Sequence, residues 1–199
     1  DGVCVSIEGP VTLTDPTAAT FTFNSTDPTT CGGTGTITLQ NLDPNTVYNL
    51  AYTDDGVSVG PLSITTDGAG DWIITGLDAG SYTNFNIDLS GCVGSNSGPV
   101  VLNDPPAPNL VITDPAGVCT PNTVDITAAA VTAGSDAGTL TYWTDAGATS
   151  SLAGPAVVAI GGTYYIQLVD GNSCSVIQAV NVAINPLPNL VITDPLGVC

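Results

Sequence analysis

The chain has 199 residues, 43% of them hydrophobic, with a mean hydropathy of +0.33; it carries no Lys, no Arg and no His against 18 acidic side chains. A net charge of −18 with no cation to meet phosphate excludes nucleic acid as a partner. Apolar runs of a handful of residues are too short for the ~20-residue span of a bilayer, which excludes direct membrane insertion. Without His or Lys, the Ser-His-Asp, Cys-His and Ser-Lys forms of nucleophilic catalysis cannot be assembled.

A hydrolase working through paired carboxylates is the remaining enzymatic reading. The aspartates argue against it. They stand mainly before Pro or Gly or beside another turn residue, as in Asp43-Pro44, Asp55-Gly56, Asp67-Gly68 and Asp170-Gly171. There a short carboxylate bonds its own backbone and closes a turn. The chain is therefore read as a non-enzyme whose like charges repel one another and draw divalent cations. It also offers trypsin no site.

In chain order, residues 1–16 read as the end of a preceding module. Residues 17–105 form one domain, with strands expected at 20–24, 35–39, 46–53, 57–65, 71–75, 81–89 and 99–102. Seven short strands parted by Gly, Pro and Asp describe an antiparallel β-sandwich. Within it, Leu42-Asp-Pro-Asn-Thr-Val-Tyr48 has the form of a tyrosine corner. Residues 106–187 form a second sandwich, with strands expected at 110–113, 123–127, 140–144, 157–160, 163–169 and 176–184. Pro-rich joints at 104–108 and 185–188 stiffen the links. Residues 188–199 open a further module. The reason is a repeat: Asn109-Leu-Val-Ile-Thr-Asp-Pro-Ala-Gly-Val-Cys119 returns 80 residues later, ending at Cys199, with Leu196 in place of Ala116. The expected fold class is thus all-β, with tandem Ig-like antiparallel β-sandwiches in an end-to-end array.

Six cysteines with no CxxC spacing and no His point to disulfides in an oxidising compartment. Pairing within modules gives Cys31–Cys92 and Cys119–Cys174, with Cys4 and Cys199 unpaired in this window; Cys4–Cys31 is the rival. Trp72 and Trp143 sit in strand-like runs and are read as core, the alternative being sugar stacking. Tyr164 and Tyr165 must face opposite sides of their strand. Asp54-Asp55 and Asp170-Gly-Asn172 are oxygen-rich turns. They are read as hairpins, with Ca²⁺ as the alternative and no cofactor expected. Asn24-Ser-Thr26 fits a glycosylation acceptor pattern.

Cys31-Gly-Gly-Thr-Gly-Thr-Ile-Thr-Leu39, Gly76-Leu-Asp-Ala-Gly-Ser-Tyr82, Ser90-Gly-Cys92 and Leu102-Asn-Asp-Pro-Pro-Ala107 resemble, in that order, a SprB-type repeat. The second domain, with Gly138-Thr-Leu-Thr-Tyr-Trp-Thr-Asp145 and Gly161-Gly-Thr-Tyr-Tyr-Ile166, is similar to the Ig-like repeats of the same giant surface proteins. The resemblance implies a long adhesin of the Bacteroidetes cell surface, exported by type IX secretion and serving gliding motility or attachment. Its partners would be neighbouring repeats, surface glycans or other copies in a filament. A lectin-like module is the alternative, and an accessory domain of a secreted hydrolase comes third.

Overall fold

A computed structural model describes residues 17–96 and 98–192. Cys4, Cys199, the segment at 1–16 and most of the segment at 188–199 lie outside the described residues. The chain divides into two compact units between Asp104 and Pro105. Among the described residues both are built from strands and irregular backbone, with no helix.

The N-terminal unit has two open sheets. One contains β1 (Thr22–Thr26), β2 (Gly35–Gln40) and β5 (Trp72–Leu77), in the order β1-β2-β5. The other contains β3 (Val47–Asp54), β4 (Val57–Thr65), β6 (Gly80–Leu89) and β7 (Cys92–Asn96), in the order β4-β3-β6-β7, with β8 (Val100–Leu102) also on β6. Every pairing is antiparallel. Alternation explains the sandwich. On β2, Ile37 and Leu39 are buried between half-exposed Thr36, Thr38 and Gln40. On β3, Tyr48, Leu50 and Tyr52 turn inward. With period-2 side chains each strand gives one apolar face, and the two faces close on a single core.

Strand β6 breaks its own alternation. Both Tyr82 and Phe85 are buried, three positions apart. Asn84 between them has φ 55°, and the register to β3 slips between Ala51 and Thr53. This extra residue resets the phase where β6 exchanges β8 for β7 as its neighbour. Strand β4 lies at the outside of its sheet and carries Gly60-Pro61 at a second slip, opposite Leu50 and Tyr52. Gly60 has φ 101°, and a Cβ there would lie 2.5 Å from the Leu50 carbonyl oxygen.

The C-terminal unit is a looser all-β unit. Strands β10 (Thr139–Trp143), β11 (Gly162–Val169) and β12 (Ser175–Val182) make one antiparallel sheet. Strands β9 (Val118–Cys119) and β13 (Ile184–Asn185) pair in parallel. Ile166, Val180 and Val182 from the sheet meet the bridged pair Val124 and Val158 and, from turns, Ile126 and Val131. The strands expected at 123–127 and 157–160 reduce to one bridge, Val124 to Val158.

The strand expected at 110–113 has no ladder, because side chains supply its partners. The Val111 N–H donates to Ser135 Oγ (2.9 Å), whose hydroxyl donates back to the Val111 carbonyl (3.1 Å). The Asn109 N–H donates to the Asp136 carboxylate (2.7 Å). Backbone partners are two: the Thr113 N–H donates to the Val131 carbonyl (2.8 Å), and the Asn109 carbonyl accepts from the Asp136 N–H (2.9 Å).

Candidate functional site

The polar chemistry is dispersed over turns and one outer sheet face. Asp145 is the fullest turn. Its Oδ1 accepts from the N–H groups of Gly147 (3.0 Å) and Thr149 (3.1 Å) and from Thr149 Oγ1 (3.0 Å); its Oδ2 accepts from the Ser150 N–H (2.7 Å). Asp67 accepts from Ala69 and Asp71, Asp125 from Thr127, and Asp114 from both the backbone and the amide of Asn181. Each of these four carboxyls is held below its ordinary pKa by donors that favour the ionised form. Asp54 moves the other way, raised by burial and then by the charges of Asp55 and Asp78.

These shifts predict the acid response. A carboxyl with a lowered folded pKa stabilises the fold above its unfolded value of 3.8, and that contribution is lost as pH falls through the folded value. Among the described residues the C-terminal unit has three such groups, Asp114, Asp125 and Asp145. The N-terminal unit has Asp67, opposed by Asp54, whose penalty is relieved on acidification. The C-terminal unit should therefore open first below pH ~3.8. Each unit holds one tryptophan, so Trp143 fluorescence should change at a higher pH than Trp72 fluorescence, read in Trp→Phe variants. A reversed order would refute the assignment.

The oxygen-rich turns are hairpins. Asp55 (φ 44°) and Gly56 (φ 86°) form the two-residue loop between β3 and β4, and the Asp55 carboxylate accepts from the Ser81 N–H at 2.8 Å. Asp170 Oδ1 accepts from the N–H groups of Asn172 (2.9 Å) and Cys174 (2.8 Å) between β11 and β12. Among the described residues no cluster of three acidic or Cys side chains is arranged to hold a metal. Asn24 and Thr26 lie exposed on β1.

The tyrosine corner is present. The Asp43 N–H donates to the Tyr48 phenol oxygen at 3.1 Å, and Tyr48 is 1% exposed. Two further phenols tie strand to turn: Tyr82 donates to the Asp78 carbonyl (2.8 Å) and Tyr164 to the Ile160 carbonyl (2.9 Å). The signal for them was the shared Gly-Ser-Tyr and Gly-Thr-Tyr strand entry, four residues after the accepting carbonyl. Burial raises the Tyr82 phenol to about 12, so it stays a donor at any physiological pH. Tyr48→Phe strands the Asp43 N–H and should cost about 1–2 kcal/mol. The check is a lower urea midpoint at unchanged slope, read on Trp72; no shift would mean that water replaces the phenol.

The cysteine pairing needs correction. Cys31 and Cys174 are each in a disulfide, but neither with its expected partner, Cys92 or Cys119. Gly32, next to Cys31, donates its N–H to Asp104, two residues past Leu102, which pairs with Gly80 at one end of β6. Cys92 pairs with Leu89 at the other end. Ten residues of strand span about 30 Å, against a Cα limit near 7 Å for a disulfide. Cys119 carries a free, exposed thiol opposite Asn185, beyond the far end of β12, whereas Cys174 is buried just before β12 begins.

The tryptophans divide. Trp72 pairs with Leu39 and packs partly buried on the N-terminal core, as read from the sequence. Trp143 does not. Its neighbour Tyr142 packs on the C-terminal core with its cross-strand partner Ile166, so Trp143 shares the outer face with its own cross-strand partner Tyr165. The Trp143 indole N–H donates to Thr141 Oγ1 (3.0 Å), which lies 3.3 Å from Gln167 Oε1. All four residues are half-buried. Tyr164 and Tyr165 thus take opposite faces, as alternation requires.

Two shallow clefts occur in the N-terminal unit. One, of about 170 Å³, includes Asp43 and Tyr48; the other, of about 260 Å³, is lined by Asn84, Phe85, Asn86, Ser95 and Asn96. Neither brings two carboxylates face to face.

No family model and no curated protein matches this chain. Solved structures do. Titin Ig tandem domains are similar at 11% identity and TM-score 0.34, over 84% of this chain and 97% of that one. A C-terminal 282-residue fragment of intimin, in complex with the intimin-binding domain of its translocated receptor, is similar at 10% identity and TM-score 0.31, over 83% and 64%. The N-terminal Ig1-2 module of the Drosophila receptor protein tyrosine phosphatase DLAR is similar at 12% identity and TM-score 0.25, over 77% and 91%.

Proposed function

We propose that this chain is a stretch of an extracellular array of Ig-like sandwiches, working as a spacer that presents a binding end at a distance from the cell. The observation that carries this reading is where the carboxylates go. Asp55, Asp67, Asp114, Asp125, Asp145 and Asp170 each hold a turn or clamp a loop, and they are scattered over both units. Such chemistry stabilises folds and converts no substrate. Cys31 and Cys174, each in a disulfide, suit an oxidising exterior. The repeat ending at Cys199 supports a tandem arrangement. The resemblance to SprB-type repeats extends the reading to a gliding-motility adhesin exported by type IX secretion.

The test is localisation and load. Antibody to this region should label intact cells of the source organism, and proteinase K applied outside should remove the signal. Single-molecule pulling should give discrete unfolding events for the two units. Label found only after cell lysis would overturn the proposal.

A second reading has one observation in its favour: Trp143 and Tyr165, paired on the outer face beside Thr141 and Gln167. An indole and a phenol with neighbouring amide and hydroxyl groups suit a neutral sugar. Binding to a glycan array that is lost in Trp143→Ala would favour the lectin over the spacer.

A further inference from the structure

The two copies of the repeat share a sequence and differ in burial. In the first copy Pro108 and Leu110 are buried, and Ile112 packs on the C-terminal core. These three positions alternate, so they form the inner face of an extended segment. Its outer bonds are specific: Asn109 to Asp136, Val111 to Ser135, Thr113 to Val131, and the Asp114 carboxylate to Asn181. In the second copy Pro188 is exposed, and Leu190 and Ile192 are 80% and 77% exposed, against 4% for Leu110. Leu187, at the position of Ala107, is 63% exposed as well.

From this contrast we infer that residues 188–192 are a docking strand for a further sandwich of the C-terminal unit's kind. They would fill in it the slot that residues 108–112 fill at home. Leaving two large aliphatic side chains in water forgoes the stabilisation that burying them would bring. An identical Asn-Leu-Val-Ile-Thr-Asp-Pro run shows what covers them elsewhere in this chain. The occupant is therefore specified residue by residue. It offers an apolar slot for Leu190 and Ile192. A serine hydroxyl brackets the Val191 backbone, as Ser135 brackets Val111. A carboxylate accepts from the Asn189 N–H, as Asp136 does from Asn109. The inference deepens the array reading by naming the next contact in it.

The experiment extends the whole chain after Cys199 with a second copy of residues 120–185. Residues 186–199 then stand where 106–119 stand in the C-terminal unit. The added copy should fold only by taking up the second repeat. Amide exchange at Leu190 and Ile192 should slow about 100-fold or more relative to the unextended chain. Leu190→Asp should abolish that protection while the home unit, read at Leu110 and Ile166, is unchanged. An added copy that stays unfolded, with 190 and 192 exchanging as before, would overturn the inference. So would a concentration-dependent protection of these amides in the unextended chain, since it would seat the strand in a second molecule. A chain that passes this test but is found inside cells would lose the extracellular reading and keep the docking strand.

Discussion

Phe85→Ala should cost about 3–5 kcal/mol, the range for a fully buried aromatic ring whose cavity cannot collapse. Phe85 is 0% exposed, at the point where the two N-terminal sheets meet. Its ring centroid lies 4.5 Å from that of Phe23 and 5.5 Å from that of Tyr52, on which it stacks at 17°. These contacts join β1 of one sheet to β3 and β6 of the other. The neighbours are strand residues held by ladder bonds, so they cannot move in to fill the space. The check is urea unfolding followed on Trp72 with Trp143 replaced by Phe. The midpoint should fall sharply, and the Trp143 signal of the converse variant should not change. A loss below ~1 kcal/mol would mean that the core repacks and that Phe85 does not bridge the sheets.

Gly70→Ala should be comparably damaging through the backbone. Gly70 is buried with φ +85°, where a Cβ is strained in any surroundings. A Cβ there would also run into the Leu42 carbonyl oxygen. Leu42 cannot retreat, because its own N–H donates to the Gly70 carbonyl at 3.1 Å and it begins the segment that the tyrosine corner pins at Asp43. Backbone strain and steric displacement together should remove about 3 kcal/mol or more. Gly68→Ala, two residues away with open space at its Cβ, is the control and should be nearly silent. Equal effects from the two would show that the loop is pliant and that the close approach is unimportant.

Strands were legible where alternation was strict. β2 and β4 fall within a residue of their expected limits because their turns are written in Gly and Asp. β7 was missed because Cys92-Val-Gly-Ser-Asn96 has the composition of a turn; it is a strand only because β6 offers it an edge. In the C-terminal unit, segment 110–113 has a strand's pattern and lacks a strand's ladder, since Ser135 and Asp136 answer its backbone from their side chains. No periodicity records that substitution.

The site residues follow the same division. The Tyr48 corner and the hairpin roles of Asp55 and Asp170 are local, and so could be read from neighbouring residues. Cysteine pairing and the outward face of Trp143 depend on which end and which side of a strand is reached. Both quantities are fixed by register, and spacing in the chain does not contain them.

The placement of Gly60-Pro61 bears on crowding. An open row of amides on the outermost strand is a template on which a neighbouring chain can add itself, and nine residues is long enough to seed that growth. Proline removes one of those donors, and the slip at Gly60 bends the row out of line. Molecules of this kind packed densely side by side should therefore resist fusing into amyloid-like stacks, even where nothing but this margin separates them.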